Sequence, residues 1–115
     1  MNITDSVIEK LQRALDAFDE YAASFNAYRD DHDYLVLEIA PPANKNLEPF
    51  GLRFFYCEFL AGPTRWSNVR LSVSRVTLSD GEDGFEVKDS NAGFFVRCAG
   101  PISIADDPNQ VFPRS

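Results

Sequence analysis

The chain has few of the side chains that carry out catalysis or bind metals. Among 115 residues there is one histidine, His32, and the two cysteines, Cys57 and Cys98, lie far apart inside apolar runs. No nucleophile motif, phosphate-binding glycine loop or close set of metal ligands is present. The six glycines are scattered in the manner of turn residues. We therefore expect a protein that is not an enzyme and that needs no cofactor and no metal.

The sequence also lacks the signals of a membrane or secreted protein. No apolar run approaches the ~20 residues of a membrane span, and the N-terminus has neither a basic segment nor an apolar one. These absences predict a cytoplasmic location, without a membrane partner, in which Cys57 and Cys98 stay reduced and buried. A Cys57–Cys98 bridge is the alternative, because both residues could lie on neighbouring strands.

An excess of basic charge is absent as well, since the formal net charge is −7. Nucleic-acid binding depends on lysine and arginine side chains that neutralise phosphates, so we expect no nucleic-acid partner. The acidic residues concentrate at the two ends of the chain, and residues 34–78 are mildly basic, with 3 acidic and 5 basic residues. An acidic surface of this kind favours a basic protein partner.

A long amphipathic pattern fills the first quarter of the chain. Apolar residues recur at three- and four-residue steps from Val7 to Tyr28, after capping residues at Thr4–Ser6, and predict a helix over about residues 5–28. The acidic residues that follow oppose the macrodipole of such a helix, so the helix ends early or these acids serve another purpose. The residues expected to be buried against a sheet are Leu11, Leu15, Phe18, Ala22 and Phe25.

The remainder of the chain alternates between apolar runs and turn signals. The runs predict strands at about 34–40, 50–60, 66–78, 85–89, 93–99 and 102–105, followed by a loose tail at 106–115. Strands joined by short turns pair mainly antiparallel. We therefore predict a single α+β domain over residues 1–115, in which one long N-terminal amphipathic helix packs on a curved sheet of five or six strands.

The run from Phe50 to Leu60 is apolar on both faces. Leu52, Phe54 and Tyr56 alternate with Phe55, Cys57 and Phe59. Because one helix covers only one face of a sheet, the second face needs another cover. A half-barrel or sandwich within the chain, a second copy and a partner protein are the three alternatives.

The most acidic stretch, Asp30–Asp33, does not have the spacing of a calcium loop and is interpreted as a solvated loop. We expect the helix acids and this loop to contribute to an acidic binding surface of a small module that acts as an inhibitor, an immunity-type protein or an adaptor. Exposed aromatic residues would anchor the partner. The candidate partner-binding residues are Asp16, Asp19, Glu20, Asp30, Asp31, Asp33, Phe55 and Trp66.

Two other functions fit the same pattern. The first is a homodimeric accessory or structural protein. The second is a small-molecule-binding domain in which Tyr34, Tyr56 and Trp66 line a pocket on the concave face of the sheet.

Overall fold

The described residues, 3–105 and 107–113 of a computed structural model, form one α-helix, ten strands and two short 3-10 helices. The 3-10 helices span Ala43–Lys45 and Pro108–Gln110. In chain order the other elements are α1 (Asp5–Asp16), β1 (Ala22–Arg29), β2 (Tyr34–Ala40), β3 (Phe50–Phe54), β4 (Cys57–Ala61), β5 (Arg65–Trp66), β6 (Ser72–Thr77), β7 (Asp83–Asp89), β8 (Phe94–Cys98), β9 (Ile102–Ile104) and β10 (Val111–Phe112).

The strands divide between two antiparallel sheets. One has six strands in the order β10-β9-β3-β2-β1-β5, and the other has four in the order β4-β8-β7-β6. Side chains from both sheets and from α1 form one apolar core. The predicted α+β class, with one N-terminal helix and mainly antiparallel strands, is confirmed. The expected single sheet is replaced by two.

The predicted helix over residues 5–28 is wrong in its second half. Helix α1 begins after Thr4, whose Oγ1 accepts a hydrogen bond from the Val7 N–H, and it ends at Asp16. Glu20 adopts a positive φ of 71°, and its N–H donates to the Val69 carbonyl. The chain then enters β1, which pairs with β2 along its whole length. Pairing with β2 therefore overrides an apolar spacing that also fits a helix.

The burial expected from the helical spacing holds only as far as Phe18. Leu11, Leu15 and Phe18 are buried as predicted. Ala22 is half-buried. Phe25 is 43% exposed, so its predicted burial is wrong. A β-bulge between Phe25 and Ala27 shifts the register of β1 against β2 at this point.

The apolar run over 50–60 is two strands in different sheets. Phe50–Phe54 belongs to the six-stranded sheet and Cys57–Ala61 to the four-stranded one. Between them Tyr56 has a φ of 55°, which turns the chain. Leu52, Phe54 and Cys57 consequently face one shared core. A core within the chain thus covers the side of the run that carries these three residues, whereas Tyr56 and Phe59 remain about half exposed.

Two further boundaries differ from the prediction. The expected strand over 66–78 is split into β5 and β6 by residues 67–71, because Val69 there pairs with the turn before β1. The tail is not wholly loose, since β10 pairs with β9 and Phe112 packs against the core. Residues 106, 114 and 115 of that predicted tail lie outside the described residues. The other four predicted strands match β2, β7, β8 and β9 to within two residues.

Helix α1 protects an exposed edge of the four-stranded sheet. The side-chain amide of Gln12 donates to the Leu71 carbonyl at 3.0 Å and accepts from the Val73 N–H at 2.8 Å. These two bonds replace those that a neighbouring strand would make with β6. A sheet edge that is covered in this way does not template pairing with another chain.

Candidate functional site

The site begins with the tight hairpin between β1 and β2. Arg29 and Tyr34 are opposite each other, and the loop between them consists of Asp30, Asp31, His32 and Asp33. Asp33 has a φ of 47°, a conformation that aspartate tolerates better than most residues. The acidic run is therefore a solvated loop, as predicted, and all four of its side chains are exposed.

Aromatic side chains hold this loop from both sides. The Tyr28 hydroxyl donates to the Asp33 carboxylate at 3.2 Å. The rings of Tyr56 and His32 meet edge to face, with centroids 5.8 Å apart. The Tyr56 N–H also donates to the His32 carbonyl at 3.0 Å. The loop is thus fixed to the β3–β4 connection by backbone and ring contacts.

A stacked pair extends the same surface toward the sheet. The rings of Tyr34 and Phe55 stack with centroids 5.0 Å apart, and both are half-buried. The Arg29 guanidinium lies 5.9 Å from the Tyr34 ring centroid and 3.8 Å from the Asp31 carboxylate. We call the whole patch the hairpin-end surface, formed by Tyr28, Asp30, Asp31, His32, Asp33, Tyr34, Phe55 and Tyr56.

The surroundings of Tyr28 in the hairpin-end surface raise the pKa of its hydroxyl. Local desolvation and the hydrogen bond to Asp33 raise the pKa of Tyr28 above its ordinary value. The negative charges of Asp33 and Asp30 act in the same direction, because they oppose a phenolate. At neutral pH Tyr28 therefore remains a neutral hydroxyl donor beside the acidic loop.

The adjoining half of β1 is an open strand edge. Ala23 and Ser24 pair with β5, and the Phe25 N–H donates to the Thr64 carbonyl. From Asn26 to Arg29, β2 is the only strand that pairs with β1 among the described residues. Strand β4 is likewise the outermost strand of its sheet, and it carries the exposed Phe59 and Leu60. Unpaired strand edges beside exposed apolar side chains are typical sites of strand addition.

The other predicted acidic residues lie elsewhere. Asp16 ends α1, and Asp19 and Glu20 precede β1, whereas Asp30 follows it. An extended strand of this length separates its ends by roughly 25 Å. The two acidic groups therefore do not form the contiguous surface that we considered from the sequence.

Trp66 supports the fold and does not belong to the hairpin-end surface. It is opposite Ala23, near the start of β1. Its ring stacks on Phe94 with centroids 4.9 Å apart, and its indole N–H donates to the Asp89 carboxylate at 2.9 Å. Asp89 is only 1% exposed and also accepts from the Arg70 N–H at 3.0 Å. Trp66 is thus half-buried in a structural contact.

The structure also separates the residues that were considered for a ligand pocket. Tyr34 and Tyr56 belong to the hairpin-end surface, and Trp66 lies near the other end of β1. The inward face of the six-stranded sheet is filled by core side chains. An open, apolar groove of ≈ 290 Å³ lies instead between the end of α1 and strands β3 and β9, beside Phe18, Tyr21 and Phe50. Its volume is at the lower limit for small-molecule sites.

Sequence reasoning found the loop acids and Phe55 but omitted Tyr28, His32, Tyr34 and Tyr56 from the candidate set. A usable signal was present, since Tyr28 and Tyr34 flank a polar run symmetrically, as in a hairpin. It was overlooked because Tyr28 also continued the helical spacing.

No metal-ligand cluster and no membrane-spanning helix is found in residues 3–105 and 107–113. No group of three or more histidine, cysteine, aspartate or glutamate side chains there is arranged to hold a metal ion. No helix in the same ranges is long and apolar enough to cross a membrane. Comparison with known proteins gives no relative: no protein-family model matches the chain, and no curated protein or solved structure is significantly similar to it.

Proposed function

We propose that this protein is a non-enzymatic binding module that attaches to a larger, basic protein through the hairpin-end surface, as an inhibitor, an immunity-type protein or an adaptor does. The proposal depends on one observation: the exposed Tyr28 and Tyr56 lie beside three acidic side chains of the loop, and hydrogen bonds and ring contacts to these tyrosines fix the loop. Tyr28 is 43% exposed and Tyr56 is 51% exposed.

Tyrosine is well suited to this role. It offers a large apolar ring and a polar hydroxyl, and it is enriched at the residues that dominate binding energy. Here Tyr28 is held by Asp33, and Tyr56 is held by ring and backbone contacts to His32. Side chains that are already ordered lose less conformational entropy on binding, so more of the contact energy appears as affinity.

The charges favour a basic partner over a second copy of the chain. Asp30, Asp31 and Asp33 project from the loop, and each copy would bring the same acids into a self-association through this surface. Like charges oppose such a contact, whereas lysine and arginine side chains of a partner would be attracted. Charge of this kind acts mainly on the association rate.

The open edge of β1 supplies the geometry for an extended partner segment. A segment that added to Asn26–Arg29 would continue the six-stranded sheet and would pass directly beside Tyr28 and the loop acids. Backbone hydrogen bonds would then contribute affinity, and the tyrosines and acids would contribute specificity.

The non-enzymatic part of the proposal is supported by where the reactive side chains lie. His32 contacts the Tyr56 ring on an exposed loop, and both cysteines are buried. Neither arrangement pairs a nucleophile with a base.

Site-specific photo-crosslinking in the native cell tests the proposal. A photoreactive phenylalanine analogue is placed at Tyr56 in one variant and at Leu47 in the control. Leu47 is also an exposed position with a large side chain, 60% accessible, in the β2–β3 connection at the opposite end of the sheet. We expect one basic protein to be crosslinked from position 56 and not from position 47.

Each other outcome has a defined meaning. Crosslinking to a second copy of the chain from position 56 would favour the homodimer. Equal crosslinking from both positions, or from position 47 alone, would reject the hairpin-end surface as the interface.

A further inference from the structure

Cys57 and Cys98 are directly opposite each other on the neighbouring strands β4 and β8. The Ala99 N–H donates to the Tyr56 carbonyl at 3.0 Å, which places the two cysteines at a non-hydrogen-bonded position of the antiparallel ladder. Opposite residues at such positions have Cα atoms about 4.5 Å apart, and their side chains approach closely. This spacing falls within the range that a disulfide spans, about 4.4–6.8 Å.

The two thiols have different surroundings. Cys98 is completely buried, whereas Cys57 is 8% exposed where the β3–β4 connection meets the hairpin loop. The Cys57 thiol donates to the Phe54 carbonyl at 3.3 Å. The neighbouring Cys98 thiol lowers the pKa of Cys57, with a smaller contribution in the same direction from the backbone at Leu35, although burial and Asp33 oppose this shift. The neighbouring Cys57 sulfur, together with burial, raises the pKa of Cys98. Cys57 is therefore the sulfur that ionises first and that a small oxidant reaches first.

We propose that Cys57 and Cys98 are a reversible oxidation site at which a small peroxide converts the two thiols into an intramolecular disulfide. The Cys57 thiolate attacks a peroxide oxygen, the O–O bond breaks, and Cys57 becomes a sulfenic acid; the departing hydroxide takes up the proton that the Cys57 thiol had released and becomes water. The Cys98 sulfur then attacks the Cys57 sulfur, the S–O bond breaks, and a second water leaves. One hydrogen peroxide accepts the two electrons that the two thiols lose.

The position of the pair gives the bond a structural consequence. The Cys57 N–H donates to the Asp33 carbonyl at 2.8 Å, so β4 is already tied to the hairpin loop. The disulfide would join β4 covalently to β8, an inner strand of the four-stranded sheet, and so would fix the strand to which the loop is hydrogen-bonded. Because it also closes the long loop from residue 57 to residue 98, the oxidised form has fewer unfolded conformations and should be more stable. This inference does not depend on whether the hairpin-end surface binds a partner.

The experiment is a peroxide titration of the purified, fully reduced chain. Free thiols are counted under denaturing conditions, and intact mass and a thermal melt are recorded for each sample. We expect both thiols to disappear together, a mass loss of about 2 Da for the two departing hydrogens, and a monomer on a non-reducing gel. The melting temperature should rise by roughly 10 °C or more, and dithiothreitol should reverse every change.

Two results would overturn the proposal. The first is that both thiols remain reduced under peroxide concentrations that oxidise free cysteine in the same tube. The second is that Cys57 gains oxygen, or crosslinks to another chain, while Cys98 stays a thiol. Cys98→Ala provides an additional check, since its Cys57 should stop at a sulfenic acid that dimedone traps. The wild-type mass and gel decide the question even if this variant does not fold.

Discussion

Replacing Asp89 by alanine should destabilise the protein strongly. The carboxylate is 1% exposed and accepts hydrogen bonds from the Trp66 indole N–H and the Arg70 N–H. A fully buried donor that loses its acceptor costs about 1–3 kcal/mol; because both donors here are only partly buried, we expect the two together to cost about 2–4 kcal/mol in the free energy of unfolding. Asp89→Asn keeps one acceptor oxygen and should lose less. The expected order of stability is wild type, then Asp89→Asn, then Asp89→Ala.

Urea unfolding followed by tryptophan fluorescence measures this loss of stability, and the signal comes from the Asp89 contact itself because Trp66 is the only tryptophan in the chain. The native emission of Asp89→Ala should also change, since the indole loses its acceptor. Lys88→Ala, at an exposed neighbouring position on β7, is the control and should stay within about 0.5 kcal/mol of wild type. An Asp89→Ala loss below about 1 kcal/mol would refute the structural role that we assign to the Asp89–Trp66 contact.

Three further predictions test the fold and the site. Phe18→Ala should lower the free energy of unfolding by about 3–5 kcal/mol, because the Phe18 side chain is buried against Phe50. Phe25→Ala should lower it by less than about 1 kcal/mol, because Phe25 is largely exposed. Equal losses of stability in chemical denaturation would contradict the boundary between helix and strand. Gln12→Leu should cost about 1–3 kcal/mol in the same assay, because the Leu71 carbonyl and the Val73 N–H lose their partner. A neutral result would show that water replaces the amide. The pKa of Tyr28 is raised above its ordinary value of 10.0, so the neutral phenol contributes its full stabilisation of the fold below pH 10.0, and this stabilisation is lost as the pH rises through the folded-state pKa. Alkaline absorbance titration, corrected with Tyr28→Phe, should show the raised pKa, and Asp33→Asn should lower it.

The first helix shows what the sequence pattern predicts and what it misses. Leu11 and Leu15 follow the helical spacing and are buried in the core, as predicted. Tyr21 and Tyr28 continue the same spacing, yet only Tyr21 is buried and neither is helical. Apolar spacing alone does not decide between helix and strand where aromatic residues favour both burial and strand pairing. The acids at Asp30–Asp33, which oppose a helix C-terminus, were the one local sign that the helix ends early.

The candidate site was predictable only in part, for a similar reason. The loop acids and Phe55 were found from composition, because acidic runs and dense aromatics are visible in one dimension. Their separation from Asp19 and Glu20 depends on an eight-residue strand that replaces a helix. Trp66 has a structural role because its indole N–H donates to Asp89, which lies 23 positions further along the chain. Long-range pairing of this kind has no local signal.

The central claim, that the hairpin-end surface binds a basic protein, is tested most directly by association kinetics with the crosslinked partner. Two double variants carry the same change in charge: Asp30→Lys/Asp31→Lys at the hairpin loop, and Asp19→Lys/Glu20→Lys near the other end of β1. Circular dichroism first establishes that both retain the fold.

We predict that the hairpin-loop variant associates at least about tenfold more slowly at low salt, and that the difference shrinks at ~1 M salt, where charge is screened beyond ~3 Å. The variant near the other end of β1 should associate at close to the wild-type rate. Unchanged association of the hairpin-loop variant at low salt, or an equal loss in both variants, would contradict the account.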